Sequence, residues 1–329
     1  MVRLMFAPPW RSHKLSVFAW HPADAAAQTP GPPASSRGAR PARDATPERA
    51  AQPRQPVTLL SAGTHAVAMP QLGYGVHQIP AHRCREATLH ALRTGYRAID
   101  STSVDDNEPA VGAALRTTDV PRNEIFLTTK VCNDRHGYDQ TLAAFEASSK
   151  RLGQGAVDLL LIHGPCPQQE RYVDSWRAVL RLRDEGRIRA AGVTNFGIRH
   201  LQRLIDETGE APAVNQVELH PYLTRTQLRA FHAEHGIATQ AWGPLARGGR
   251  LLRDPVVVAI AREHARTPAQ VVLRWHLQHG NAAIPKSADP ARATQNFAIF
   301  DFELTPDQVA ALDALDRGEL TGAAPATTT

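Results

Sequence analysis

Eight apolar runs recur between residues 72 and 286, and helical stretches follow most of them. They read LGYGV (72–76), RAID (97–100), EIFLTTK (124–130), VDLLLIH (157–163), IRAAGVT (188–194), AVNQVEL (213–219), IATQAW (237–242) and AAIPK (282–286). Most are near-continuous rather than alternating, the pattern of parallel strands covered on both faces. Amphipathic stretches lie between them at Asp139–Leu152, Val173–Glu185, Arg199–Glu207, Arg225–His235 and Asp254–His264. Eight repeats over about 250 residues predict a (β/α)8 TIM barrel. An open doubly wound sheet is the competing fold, but it calls for a GxGxxG turn after an early strand and the chain has none. Ahead of the barrel, VTLLSAGTHAVAMP (57–70) predicts a hairpin turning at Ala62-Gly63, placed to plug the barrel's N-terminal end.

The flanks read differently. Residues 1–55 are rich in Pro, Ala and Arg, have neither a helical nor a strand period, and are expected to be disordered. An unstructured extension or a misplaced start codon is the simpler account of them; a targeting or partner-binding arm is the other. The barrel domain is expected over 56–322, with a flexible tail at 323–329. The formal net charge of +5 resides in the extension, because residues 56–329 carry 29 residues of each sign. The body therefore presents no general electrostatic case for nucleic acid or membrane as partner. No run approaches the roughly 18 apolar residues of a membrane span. Three scattered cysteines, Cys84, Cys132 and Cys166, make neither a disulfide framework nor a metal site, and a reducing cytoplasm is the expected location.

Barrel chemistry sits at the C-terminal ends of strands. The polar or aromatic residues there are Asp100, Lys130, His163, Thr194, Asn195, Gln216, Trp242 and Lys286. A lysine ending an apolar strand needs a partner, and Asp100 can supply one. Taken singly, His163 reads as a satisfied core histidine, Lys130 as either a rim lysine or a site lysine, and Trp242 as either a core ring or a platform on which a flat ring stacks. Their joint placement at strand ends favours a site. IPKSADPARATQN (284–296) places Lys286 and Ser287 before a helix that begins near Pro290 and carries Arg292, Gln295 and Asn296. A helix N-terminus with Lys and Arg suits a phosphate, against the alternative of an ordinary loop and a solvated helix.

Over about residues 57–322 the chain resembles the aldo-keto reductase family. The resemblance rests on PQLGYG (70–75), GYRAID (95–100), FLTTK (126–130), LLIHGP (160–165), GVTNFG (192–197), PAVNQVELHPYL (212–223), AWGPLARGG (241–249) and IPKS (284–287) with Arg292 and Asn296. It implies a barrel that binds NADPH across its strand ends and passes hydride to a carbonyl carbon of a small molecule. By position it implies that Thr194, Asn195 and Gln216 hold the nicotinamide carboxamide and that Trp242 stacks on the ring, with Pro244 and Leu245 also at the cofactor. It implies that Lys286, Ser287 and Arg292 grip the 2′-phosphate, with Gln295 and Asn296 near the adenine. No metal is implied, and a monomer is expected.

The family's catalytic tetrad is Asp, Tyr, Lys and His. Asp100, Lys130 and His163 fill three places. The tyrosine falls five residues after the aspartate in a stretch shaped D-x-x-x-x-Y-x-N-E; here Asn107-Glu108 keep that spacing and Asp105 occupies the tyrosine position. Of the five tyrosines, Tyr74, Tyr96, Tyr172 and Tyr222 belong to family-like stretches or helices, which leaves Tyr138, expected in a loop over the mouth, as the one stand-in. An ordinary Asp has a pKa of about 3.9, so a carboxylate facing a developing oxyanion is repulsive rather than proton-donating. The family often has aromatic rings at His77, Cys132 and Gly164, so the pocket is expected to be wide and wet. Cys132 reads as a pocket-lining thiol rather than a nucleophile, and His77 or His163 is a substitute proton donor. The resulting expectation is NADPH-dependent reduction of an aldehyde or ketone with an altered acid. The alternatives are an NADPH-binding barrel with little turnover, a sensor or inactive paralogue, and, more remotely, a reaction in which Asp105 is a general base.

Overall fold

A computed structural model describes residues 55–62 and 65–321. The expected disorder of 1–55 falls, but for Gln55, outside the described residues, as do Gly63 of the predicted turn and the 323–329 tail.

The hairpin forms as expected. Strands β1 (Val57–Ala62) and β2 (His65–Pro70) pair antiparallel, with Val57 opposite Pro70 and Ala62 opposite His65. Eight parallel strands follow in sequential order: β3 (Tyr74–Gly75), β4 (Ala98–Asp100), β5 (Phe126–Val131), β6 (Val157–Ile162), β7 (Ile188–Thr194), β8 (Val214–Glu218), β9 (Ala238–Trp242) and β10 (Ala282–Ala283). A parallel bridge between Leu72 and Ala283 closes the sheet on itself, with Gly73 N–H donating to the Ala283 carbonyl at 2.9 Å and Ala283 N–H to the Gln71 carbonyl at 2.7 Å. The open-sheet alternative is thereby excluded.

The closing strands are shorter than the sequence reading. At this seam a Cβ on Gly73 would lie 2.9 Å from Ile284 Cγ2, and Pro285 has no N–H to extend the ladder.

Ten helices surround the strands among the described residues. Five match the sequence reading to within a residue or so at each end: α3 (Tyr138–Leu152), α4 (Tyr172–Asp184), α5 (Ile198–Thr208), α6 (Thr226–Glu234) and α7 (Pro255–Glu263). The expected helix at Pro290 is α9 (Pro290–Phe297). Four helices add to those expected from the sequence: α1 (Ala81–Thr94), α2 (Glu108–Thr117), α8 (Pro268–Gln278) and α10 (Pro306–Asp313). Both α8 and α10 open on a capping box, Thr267 with Gln270 and Thr305 with Gln308, which satisfies N-terminal amides that have no helical partner.

Two apolar layers result. Between sheet and helices lie Leu92, Leu127, Leu160, Trp176, Val179, Leu204 and Trp275, all buried. Inside the barrel, Leu60, Val67 and Met69 of the hairpin pack against Phe126, Leu159 and Leu161 and the small residues Ala98, Ala190, Ala213 and Ala282. Alanines at those positions leave the volume that the hairpin fills. Each fully buried Leu or Met contributes roughly 1.5–3 kcal/mol, so the plug is an integral part of the core. Its apolar residues fill one end of the interior, and the polar ones gather at the other.

Candidate active site

The strand ends bring Asp100, Lys130, Gln216 and Gln240 into one buried polar layer. Lys130 Nζ bonds Asp100 Oδ1 and donates to the Ser101 carbonyl at 3.2 Å. Gln216 Nε2 donates to Asp100 Oδ2 and to Gln240 Oε1, both at 2.7 Å. Asp100 thus has both oxygens engaged. The pairing of Asp100 with Lys130 matches the sequence reading, whereas Gln240 was not foreseen. It follows from the alternation of β9, where Gln240 and Trp242 share a face.

His163 stands just past the end of β6, with its N–H donating to the Val131 carbonyl at 3.0 Å. Burial, and then the positive charge of Lys130 and the proximity of His77, push its pKa down to about 4, while Asp100 and Asp105 act weakly the other way. His163 is therefore neutral at neutral pH and is a hydrogen-bond donor rather than an acid. All five groups, Asp100, Lys130, His163, His77 and Asp105, border one mouth.

Asp105 does not bond Lys130. It lies in a short 3-10 turn, Ser103–Asp105, where its Oδ2 accepts from His77 Nδ1 at 2.6 Å and from Gln78 N–H at 3.1 Å. Asn107 fastens the same two loops together, with Nδ2 donating to the Val76 carbonyl at 3.1 Å and the Ile79 carbonyl at 3.0 Å. Glu108, fully buried, accepts from Thr129 Oγ1 at 2.6 Å and from Arg151 Nε at 2.7 Å, tying this segment to β5 and α3. The Asn-Glu pair of the motif is thus structural, and sequence spacing had no means of revealing the His77–Asp105 contact.

Tyr138 corrects the sequence reading. It is not in a loop over the mouth but opens α3, and its hydroxyl accepts from Arg181 Nη1 of α4 at 3.4 Å, in the outer helix layer. The amphipathic period of the helix starts one residue earlier than the reading placed it. The other tyrosines are also committed elsewhere. Tyr74 donates to the Ser287 carbonyl, Tyr96 to Ala293 at 3.0 Å and Tyr222 to Asp254 at 2.7 Å, while Tyr172 packs on Phe196. No phenol stands at the mouth among the described residues.

Cys132 Sγ lies 2.9 Å from Ser103 Oγ, and burial pushes its thiol pKa up, which suits a lining group and not a nucleophile. Beside it, a Cβ on Gly164 would sit 3.3 Å from Asn133 Oδ1, so an amide borders the space at this glycine.

The remaining strand ends suit a flat, polar, phosphorylated ligand. Thr194 Oγ1 is buried without a hydrogen-bond partner. Trp242 is half-exposed, and its Nε1 donates to Asn195 Oδ1 at 2.8 Å; Asn195, at φ 63°, also donates from Nδ2 to the His163 carbonyl at 3.4 Å. Pro244 is buried, its carbonyl accepting from His276 at 3.2 Å, and Leu245 beside it is half-buried. Lys286, Arg292 and Gln295 are exposed, Ser287 and Asn296 buried. Lys286 forms no ion pair among the described residues, which leaves a cation for an anionic ligand. The helix terminus differs from the reading: Asp289 caps α9, its Oδ1 accepting from Ala291 N–H at 2.9 Å and Arg292 N–H at 3.3 Å. The amides expected to hold a phosphate are already satisfied, and what the segment still offers an anion is side-chain charge.

Comparison with known proteins agrees with this architecture. The model of the Aldo/keto reductase family matches residues 63–317. An aldo-keto reductase of Mycolicibacterium smegmatis is 50% identical over 260 residues, covering 79% of this chain and 94% of that protein. The methylglyoxal reductase DkgA of Yersinia pestis is 48% identical over 259 residues, covering 78% and 92%. The crystal structure of a Gox0644 mutant in complex with NADPH superposes with a TM-score of 0.78 at 43% identity, covering 84% of this chain and all of that one. Among the described residues no helix is long and apolar enough to cross a membrane.

Proposed function

The chain belongs to the aldo-keto reductase family, and from that premise we propose that it reduces a small aldehyde or ketone to an alcohol with NADPH. The observation that carries the reading is the polar layer at the strand ends, in which the buried Asp100–Lys130 pair and His163 lie near the Trp242–Asn195 pair. When bound, NADPH supplies a hydride to the carbonyl carbon. Thr194, with its unsatisfied hydroxyl, Asn195 and Gln216 would orient the carboxamide, and Trp242 would offer its face to the ring. Pro244 and Leu245 would border the dinucleotide. Lys286, Ser287 and Arg292 would hold the 2′-phosphate, with Gln295 and Asn296 at the adenine. His163 donates a hydrogen bond toward the substrate oxygen, and His77, Cys132 and Gly164 line a substrate space with little aromatic wall. The likeness to a methylglyoxal reductase supports a small carbonyl substrate.

Asp105 at the tyrosine position favours a second reading, a barrel that holds NADPH with little turnover. Fluorescence titration with NADPH, followed by its consumption with a panel of aldehydes and ketones, separates the two. The reductase reading expects quenching of Trp242 and steady consumption. Lys286→Met is expected to weaken NADPH by about 10–100-fold and NADH little, the loss of one charge-assisted contact of about 1.5–3 kcal/mol. Quenching without consumption, together with a gain of orders of magnitude in Asp105→Tyr at unchanged NADPH affinity, is the result of the second reading. No quenching at all refutes both.

A further inference from the structure

We propose that His77 and Asp105 act together as the proton donor that replaces the missing phenol: His77 is the acid and Asp105 the residue that positions it. The proposal rests on the reductase reading above. A carboxylate only accepts hydrogen bonds, so the 2.6 Å contact to Asp105 Oδ2 places a proton on His77 Nδ1. Nε2 then points away from the carboxylate and makes no hydrogen bond among the described residues. The His77 side chain is 57% exposed and that of Asp105 15%, so the carboxylate is sheltered while the ring remains open to a substrate.

The pair is held rigidly. Gln78 N–H donates to the same Asp105 oxygen, Asn107 clamps Val76 and Ile79 on either side of His77, and Val76 N–H donates to the Asp100 carbonyl at 3.1 Å. The other acids at the mouth are excluded on their own surroundings. Lys130 is closed in by Asp100 and Ser101, and burial keeps His163 neutral. Imidazole can carry a proton on each ring nitrogen, so a ring that gives Nδ1–H to a carboxylate can still donate from Nε2. The groups shown to interact with His77 are Asp105 from the 3-10 turn and His163 from the end of β6.

The step balances. As the carbonyl carbon takes the hydride of the reduced nicotinamide, the C=O π pair becomes a lone pair on oxygen. That oxygen takes the proton from His77 Nε2, and the N–H bonding pair stays on the ring. The products are the alcohol, the oxidised dinucleotide and neutral His77, which regains a proton from water. Asp105 keeps its hydrogen bond to Nδ1 throughout. An anion at the tyrosine position therefore serves the chemistry indirectly, by orienting a cation rather than facing the oxyanion.

Two measurements test this. In the first, cofactor-free protein labelled with 15N at its histidine rings is observed by NMR. For the neutral form of the ring the expected result is a single proton on Nδ1, which leaves Nε2 as the site that gains and gives the second proton, with the tautomer switching toward Nε2 in Asp105→Asn. In the second, His77→Phe is expected to keep NADPH quenching within about twofold while turnover falls by about 10²–10⁴. Added imidazole is expected to recover part of the rate in His77→Ala. A neutral ring whose single proton sits on Nε2 rather than Nδ1, or a His77→Phe enzyme with the wild-type rate, overturns the pair and leaves the reductase reading intact. A wild type that neither binds NADPH nor consumes it overturns the reductase reading and the catalytic role with it.

Discussion

Replacing Lys130 with methionine tests whether the mouth is built around a buried ion pair. The side chains of Lys130 and Asp100 are 6% and 7% exposed. With the ammonium gone, Asp100 keeps one strong partner, the neutral amide of Gln216 at 2.7 Å, and its other oxygen faces a thioether. Removing one member of a buried pair costs about 3–5 kcal/mol because the remaining charge is neither hydrated nor matched. For a domain of this size each kcal/mol moves Tm by about 2–4 °C, so a fall of about 6–20 °C is expected. Scanning calorimetry at pH 7 without NADPH reads it, since a bound ligand would raise Tm by mass action. The double variant Asp100→Asn, Lys130→Met removes both charges and is expected to lose less than the sum of the single losses, by about 1–3 kcal/mol. A Lys130→Met protein within 2 °C of wild type, with additive single effects, would mean that water reaches the pair, and the reasoning would fail.

Two further outcomes follow from the packing. Burial pushes the pKa of His136, His163 and His232 down to about 4 and that of His276 to about 3, so between these values and the ordinary 6.5 the unfolded chain binds more protons than the folded one. Stability is therefore expected to fall as pH drops from about 6.5 toward 4, read as Tm across that range and refuted by a flat profile. His136→Leu, which removes a ring with both nitrogens unpartnered, is expected to soften the decline. Gly112→Ala should destabilise by about 1–3 kcal/mol in urea unfolding even though alanine is the better helix former, because its Cβ would lie 2.3 Å from the Leu152 carbonyl oxygen of α3. A higher urea midpoint would show that the two helices can separate without loss.

Strand–helix alternation, the hairpin and the pairing of Asp100 with Lys130 were all legible in order and spacing, since these depend on local periodicity and on the rule that barrel strands end at one mouth. The capping boxes TPAQ (267–270) and TPDQ (305–308) are equally legible, each with Pro at the first helical position and Gln three residues after the Thr. Helix α9 was placed correctly, but the sequence could not say that Asp289 would occupy its N-terminal amides, because a capping side chain and a bound phosphate compete for the same donors.

The local pattern of apolar and polar residues was enough to decide that this chain closes a barrel and gathers Asp100, Lys130, His163 and Trp242 at one rim. Where Asp105 turns was decided by folding alone. Its partner His77 is 28 residues earlier in the chain, and the two meet because adjacent parallel strands deliver their following loops side by side. Contacts of that kind depend on how Asn107 and Gln78 fasten one loop to the next, and on the side-chain hydrogen bonds available there, neither of which leaves a period in the sequence.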